Sequence, residues 1–149
     1  MKKLLIPFLL VGLLASCKKD DGTTNATASG LGTWSTGSKT FKVKSLNKSN
    51  NTVTFYEDSL GGIAFSFFDG VKSGSHSVVA FAQAASEVDV VVFGKNNGTS
   101  YFSTGTDNVK ATVSTTSDGK FKISLPSTRA VSRINNDSLL ITAEVGPFQ

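Results

Sequence analysis

The chain has 149 residues but only one cysteine, one histidine, one tryptophan and one methionine. A single cysteine excludes an internal disulfide framework, which needs cysteines in pairs. One cysteine and one histidine also cannot supply the four ligands of a Cys/His zinc site. Charged residues are scarce at 17%, and threonine, serine, valine and phenylalanine outnumber the strongest helix formers. The composition disfavours a helical bundle, and we expect neither a metal nor another cofactor.

The first 16 residues have the features of a secretory signal peptide. Lys2 and Lys3 provide a positive start, and an apolar stretch of eleven residues follows from Leu4 to Leu14. A helix that crosses a bilayer needs about 20 apolar residues, so this stretch is too short to remain as a membrane anchor. We therefore expect residues 1–16 to be removed on export.

The end of this segment, Leu14-Ala15-Ser16-Cys17, resembles the lipobox of bacterial lipoproteins. The resemblance implies that signal peptidase II cuts before Cys17 and that the thiol of Cys17 is lipidated. Several acyl chains hold a protein on a membrane far more strongly than one chain does. We expect a mature chain that starts at Cys17 and contacts the membrane through this lipid. The alternative is an ordinary secretory signal that ends in a cysteine by coincidence.

The charged residues that follow Cys17 concern the location of the protein. Lys19-Asp20-Asp21 resembles the surface-export signal of lipoproteins from Bacteroidota, which implies an outer-membrane protein exposed at the cell surface. The alternative is a solvated charged spacer, with the domain facing the periplasm. Removal of the signal peptide also leaves only a small excess of positive charge. A nucleic-acid partner requires a larger and more clustered excess, so we expect none.

The domain organisation follows from the next residues. Residues 22–32 contain one large apolar side chain, too little to offset the cost of ordering them. We therefore expect residues 17–32 to be a lipidated cysteine with a flexible tether, and residues 33–149 to form one domain.

Apolar and polar residues alternate with a period of two through most of this domain, which is typical of strands with one face in a core. Two-residue pairs that favour tight turns, such as Asn97-Gly98 and Asp118-Gly119, separate the runs. The pattern predicts an all-β fold, a single antiparallel β-sandwich of about eight or nine strands. A small up-and-down or partly open β-barrel is the alternative. The alternating runs have these apolar positions: Phe41 and Val43; Val53 and Phe55; Ile63, Phe65 and Phe67; Val109, Ala111 and Val113; Phe121, Ile123 and Leu125; Leu139, Ile141, Ala143 and Val145.

One part of the chain departs from this alternation. Residues 77–81 and 88–93 are nearly continuous apolar runs, and residues 83–86 between them fit a hairpin loop or one helical turn. Val91 and Phe93 fall on the opposite face from the other valines of their run. A strand that is apolar on both faces is either central or covered by a loop, or it offers an interaction patch.

Taken together, the lipobox, the charged tract after it and the late alternating strands that follow Asp118-Gly119-Lys120 resemble small β-sandwich lipoproteins of unknown function from Bacteroidota. The resemblance implies the fold class and the location. It carries no catalytic residues to this chain.

Few residues offer catalytic chemistry. His76 is the only imidazole and no Gly-x-Ser-x-Gly motif occurs, so a hydrolase triad is disfavoured and His76 is interpreted as an ordinary loop residue at the entry to a strand. Two carboxylate pairs, Glu57 with Asp58 and Glu87 with Asp89, could supply an acid and a base for glycoside hydrolysis. Acids at strand ends are more commonly solvated turn residues.

The remaining candidates concern binding and modification. Trp34, Tyr56 and Tyr101 combine a flat ring with a polar group, so they are candidates for stacking on a sugar ring. The alternative for these three residues is packing in the core or at its rim. Ser59 and Ser138 each follow an aspartate and precede a leucine, which resembles the O-glycosylation sequon of Bacteroidota.

These observations predict a non-catalytic binding or accessory module that recognises a glycan or a protein partner at the cell surface. One alternative is a structural role in the cell envelope. Another is a carbohydrate-active enzyme that uses one of the carboxylate pairs.

Overall fold

The structure is a computed structural model, which describes residues 24–27, 30–58, 61–96 and 98–149. The predicted signal peptide (residues 1–16) and the predicted lipidation site Cys17 lie outside the described residues. Ser59, one of the two predicted glycosylation sites, lies outside them as well.

The described residues form twelve β-strands and no helix. This confirms the prediction of an all-β fold, although the strands outnumber the expected eight or nine. The strands are β1 (Thr24–Thr27), β2 (Gly32–Thr36), β3 (Lys39–Lys42), β4 (Ser45–Lys48), β5 (Thr52–Asp58), β6 (Gly61–Phe67), β7 (Gly74–Val79), β8 (Glu87–Asn96), β9 (Thr99–Ser103), β10 (Lys110–Thr115), β11 (Phe121–Ser132) and β12 (Ser138–Phe148).

All twelve strands belong to one hydrogen-bonded sheet, in the order β1-β4-β5-β6-β8-β7-β10-β11-β12-β2-β3. β9 lies off this path, since it pairs with β8 on one side and with β11 on the other. The pair β7–β8 is parallel and the other described pairs are antiparallel, so the sheet is mixed rather than purely antiparallel.

The sheet wraps around a single core. β1–β2 and β3–β4 form one bent hairpin, in which β2 pairs with β12 and β4 pairs with β5, so this hairpin joins the two ends of the strand order. The two halves of the sheet meet face to face: the rings of Phe55 on β5 and Phe148 on β12 have centroids 5.5 Å apart. This arrangement is compatible with both predicted forms, a sandwich and a partly open barrel.

The buried positions follow the predicted alternation. Val53 and Phe55 on β5, and Ile63, Phe65 and Phe67 on β6, all lie in the core. On β11 the buried face changes parity, because the register with β12 shifts between Leu125 and Thr128. Proline lacks the donor that a ladder requires and is tolerated at such bulges. Pro126 occupies this shift and is exposed.

The folded part begins earlier than residue 33. β1 pairs with β4 over residues 24–27, and Leu31 is 3% exposed within the core. A polar edge strand is held by backbone hydrogen bonds and needs no apolar side chains of its own. For this reason the polar composition of residues 22–32 favoured a tether, whereas residues 24–27 and Leu31 belong to the domain.

The connection between β7 and β8 determines the shape of the surface. These parallel strands pair Ser77 with Glu87 and Val79 with Asp89, yet only residues 80–86 connect them. A parallel connection usually takes a dozen residues or more. Residues 80–86 must therefore run back along the sheet by the shortest route, and we call this segment the strap. It is not the hairpin loop expected from the sequence, because the strands that it joins are parallel, but it ends in a single turn that a hydrogen bond from Glu87 N to Ala84 O (3.0 Å) closes.

Candidate functional site

Two carboxylates at the start of β8 hold the strap in place. Glu87 Oε2 accepts hydrogen bonds from the backbone N–H groups of Gln83 (2.8 Å) and Ala84 (3.1 Å). Asp89 Oδ2 accepts a longer one from the N–H of Ala82 (3.4 Å). Ala82 is buried, whereas its neighbour Phe81 is 70% exposed. The strap is thus tied down by three backbone groups while it presents a phenylalanine ring to solvent.

A groove of about 350 Å³ lies between the strap and the turn that follows β6. Phe81 stands on the strap side, and Phe68, which is 56% exposed, stands on the turn side. Asn51 fixes the turn, because its Nδ2 group donates to the carbonyl oxygen of Phe68 (3.0 Å). We call this depression the Phe81 groove. Its lining residues are Asn51, Ser66, Phe67, Phe68, Phe81, Ala82, Gln83 and Asp89.

Asp89 provides the charge in the Phe81 groove. Burial raises the pKa of its carboxyl group, although hydrogen bonds from Ala82 and Ser66 and the positive charge of Arg133 act in the opposite direction. A partly desolvated carboxylate forms stronger hydrogen bonds than one in bulk water. Asp89 is therefore suited to accept hydrogen bonds from a polar ligand that the two rings contact.

A second groove, of about 330 Å³, begins at Ala80, next to Phe81 in the chain. Here the guanidinium carbon of Arg133 lies 4.2 Å from the centroid of the Phe102 ring. We call this depression the Arg133 groove. Its lining residues are Ala80, Phe102, Ser103, Thr104, Val131, Ser132, Arg133 and Asn136.

The three aromatic residues proposed from the sequence lie outside both grooves. Trp34 is 1% exposed and its ring packs 4.2 Å from Phe41, while Tyr101 is 3% exposed and its hydroxyl donates to Asp137 (3.1 Å). Sugar stacking needs an open ring face, so burial removes Trp34 and Tyr101 from the candidate surface. Tyr56 is half-buried and packs edge-on against Phe93, with centroids 5.9 Å apart.

The acids and the histidine have structural contacts. Glu87 and Asp89 bind the strap, and Asp58 Oδ1 accepts a hydrogen bond from the N–H of Gly61 (3.0 Å) between β5 and β6. His76 lies in β7 rather than in a loop, and it is 4% exposed. Its Nε2–H donates to the carbonyl oxygen of Lys72 (2.8 Å), and its ring packs against Phe67.

Ser138 is the predicted glycosylation site that the structure describes. It is exposed, and it is the first residue of β12. Its backbone N–H donates to the carboxylate of Asp137 (2.9 Å), which positions the turn before the strand. The hydroxyl group is therefore accessible, as a glycan acceptor must be.

Sequence reasoning missed the residues that form the two grooves. Phe68 and Phe81 end apolar runs and resemble core residues by type, but both lie just past the end of a strand. Arg133 follows β11 directly and carried no motif. The available signal was the pair of short segments after β6 and β7, where a phenylalanine stands beside turn residues or alanines.

Comparison with known proteins gives no match that would assign a role to these grooves. No protein-family model, no curated protein and no solved structure matches the chain. Within the described residues, no helix is long and apolar enough to cross a membrane. The same residues place no group of three or more histidine, cysteine, aspartate or glutamate side chains where a metal ion could be held.

Proposed function

We propose that the protein is a lipid-anchored outer-membrane lipoprotein that recognises a glycan at the cell surface without catalysing a reaction. The observation that carries this proposal is the Phe81 groove, in which the exposed rings of Phe68 and Phe81 stand on either side of the Asp89 carboxylate. The proposed anchor is the lipid on Cys17, at the end of the lipobox-like segment.

The chemistry of the Phe81 groove favours a sugar over an apolar ligand. Sugar rings present C–H groups on their faces, which pack on aromatic rings, and hydroxyl groups at their edges, which need hydrogen-bond partners. The groove offers both kinds of partner: two phenylalanine rings, the carboxylate of Asp89, and the amide groups of Asn51 and Gln83. A few polar groups placed within an aromatic surface are typical of small-molecule binding sites.

The contacts of the acids favour binding over catalysis. A glycosidase needs one carboxyl group to protonate the leaving oxygen and a second to act as nucleophile or base. Glu87 is the acid nearest in sequence to Asp89, and its Oε2 atom already accepts two backbone hydrogen bonds from the strap. In this proposal Asp89 therefore binds the ligand, and the neighbouring acid Glu87 is already engaged by the strap.

A binding experiment tests the proposal. The purified full-length protein is applied to a glycan array and compared with the variants Phe81→Ala and Phe68→Ala. We expect each variant to lose most of the signal, because truncation removes one of the two rings. Leu140→Ala is the matched control, since Leu140 is similarly exposed at 51% and lies elsewhere on the surface. Equal signals from all four proteins, or no binding to any glycan, would overturn the proposed function in favour of a protein partner or a structural role.

The anchor and the location have separate tests. In cells fed a labelled fatty acid, Cys17→Ala should abolish incorporation of the label into the protein. Label that persists in the variant would refute lipidation at Cys17. Brief protease treatment of intact cells should digest the domain if it faces the medium. Full protection of the domain, with digestion only after the outer membrane is opened, would place it on the periplasmic side.

A further inference from the structure

Arg133 is a charged residue near the proposed site whose side chain makes few contacts with the rest of the protein. Its guanidinium group is stacked on Phe102 at 4.2 Å, which limits its orientations, and Arg133 is exposed. It forms no ion pair with another residue in the part of the chain that the structure describes. A guanidinium group that is held flat on a ring keeps its N–H donors free for an external acceptor.

The surroundings of Arg133 complete a small polar pocket. Thr104 and Asn136 line the same groove with polar side chains, and the Thr104 hydroxyl group is hydrogen-bonded to that of Thr106 (2.8 Å). Ser132 also lines the groove, but it is buried and its hydroxyl group accepts a hydrogen bond from the N–H of Ile134 (3.2 Å). No acidic residue is among the described residues that line it. The Arg133 groove therefore has a positive charge, polar side chains and an aromatic ring, which together suit an anionic group on a larger ligand.

The two grooves are neighbours. Ala80 lines the Arg133 groove and Phe81 lines the Phe81 groove, so the two grooves meet at the start of the strap, which we call the ridge. Arg133 is also near enough to Asp89 to attract it electrostatically. A ligand that crosses the ridge would meet Asp89 and two rings on one side and Arg133 on the other.

We propose that the Arg133 groove binds the carboxylate of an acidic sugar residue, so that the recognised glycan carries a uronic-acid-type unit next to the unit held in the Phe81 groove. This inference rests on the proposed function, because it assigns the chemical class of the same ligand. A carboxylate is favoured over a sulfate because its two coplanar oxygens match the planar fork of an arginine. The sugar unit held in the Phe81 groove carries no charge in this proposal, because the described lining of that groove contains a carboxylate and no cationic residue.

Calorimetry with matched probes tests the inference. The full-length protein is titrated at low salt with a tetragalacturonic acid that is methyl-esterified on every unit but one, so that a single carboxylate stands beside uncharged units, and with the fully methyl-esterified form, which has the same rings and no uronate charge. Unesterified tetragalacturonic acid and a sulfated tetrasaccharide are two further probes, and a glutamate peptide represents an acidic protein segment. We expect a carboxylate-bearing form to bind about 3- to 10-fold more tightly than the full ester, the range typical of an exposed charge-assisted pair. The preference should shrink as salt is added.

Variants then assign the preference to a residue. Arg133→Gln should lower affinity for the acidic tetrasaccharide to that of the ester and leave affinity for the ester unchanged. Arg129→Gln is the matched control, because Arg129 is the other arginine of the chain, is also exposed and lines neither groove. Thermal unfolding of Arg129→Gln should match that of the parent protein, whereas Arg133→Gln should unfold at a slightly lower temperature, because it loses the contact with the Phe102 ring.

The possible failures are distinguishable. If acid and ester forms bind equally, with or without Arg133, while Phe81→Ala abolishes binding, the inference is wrong and glycan recognition stands. Tighter Arg133-dependent binding of the sulfated probe or of the glutamate peptide would also overturn the assignment to a sugar carboxylate. If neither tetrasaccharide binds but neutral glycans on the array do, the inference again fails alone. Loss of every glycan signal refutes both proposals.

Discussion

Gly32 and Gly30 provide a matched test of how closely β2 approaches β12. Both have backbone φ angles that side chains rarely adopt, +91° for Gly32 and +95° for Gly30. A Cβ atom on Gly32 would lie 2.0 Å from the carbonyl oxygen of Glu144, whereas a Cβ atom on Gly30 would meet nothing within 4 Å. Gly30→Ala therefore introduces backbone strain alone, and Gly32→Ala introduces the same strain together with a collision against backbone.

The expected sizes differ accordingly. Residues forced into sparsely populated backbone regions cost about 1–3 kcal/mol, which is our estimate for Gly30→Ala. For Gly32→Ala, ordinary contact begins at 3.4 Å, so the strands must part by more than a hydrogen bond tolerates. Two neighbouring bonds are at risk, from Val43 N to Gly32 O (3.0 Å) and from Gly146 N to Leu31 O (2.9 Å). At about 0.5–1.5 kcal/mol for each backbone bond lost, the collision adds about 1–3 kcal/mol to the strain, so Gly32→Ala should cost about 2–6 kcal/mol in total.

Urea denaturation measures both variants, and the buried Trp34 on β2 supplies a local fluorescence signal. With a slope of about 1.5 kcal/mol per molar urea, Gly30→Ala should lower the midpoint by about 0.7–2 M, and Gly32→Ala should lower it by about a further 0.7–2 M. Circular dichroism serves as the second probe. If the two variants unfold at the same urea concentration, the close approach of β2 to Glu144 is refuted.

Three further predictions concern the acids. Glu87→Gln should loosen the strap, because an amide oxygen binds backbone N–H groups more weakly than a carboxylate; faster hydrogen exchange at Gln83 with unchanged exchange in the core would confirm this, and unchanged exchange at Gln83 would contradict it. The raised pKa of Asp89 means that its stabilising contribution is complete below 3.8 and is lost as pH rises through the raised value. Asp89→Asn should therefore gain stability relative to the parent protein as pH rises through that window, and a difference independent of pH would count against the burial of Asp89. Hydrogen bonds from Lys120 and Thr116 lower the pKa of Asp118 to about 2; an NMR titration should find this midpoint and an upward move in Lys120→Gln, and an unmoved midpoint would exclude the Lys120 contact.

The core strands could be predicted because burial imposes its own period on the sequence. Val53 and Phe55 point inward while Thr52 and Thr54 are half-buried on the other face, as alternation requires. The short edge strands carry a weaker signal. β1 contains threonine, asparagine and alanine, and its pairing with β4 depends on backbone groups that every sequence possesses.

The parallel pair β7–β8 could not be predicted for a different reason. Six residues between the apolar runs 77–81 and 88–93 are typical of a hairpin or a short turn, because parallel neighbours usually need a longer crossover. The strap manages the short connection by running back along the sheet, held there by Glu87 and Asp89. Alternation along β8 places these two acids on one face, but the backbone groups that they bind come from the strap, whose path only the three-dimensional structure defines.

The position of the candidate site could not be predicted from the sequence either. Phenylalanine is most often buried, and burial of one such ring contributes about 1.5–3 kcal/mol, so a sequence pattern assigns Phe68 and Phe81 to the core. The structure instead leaves both rings in solvent, on two segments that hydrogen bonds from Asn51 and to Glu87 and Asp89 hold in place. The two rings are exposed although the backbone beneath them is held in place. They therefore depart from the burial of apolar side chains that is found in the rest of the domain. Such local contradictions are expected where a surface is organised for binding rather than for stability, which is why the Phe81 groove, and not the predicted Trp34 or Tyr101, is the place to look for a ligand.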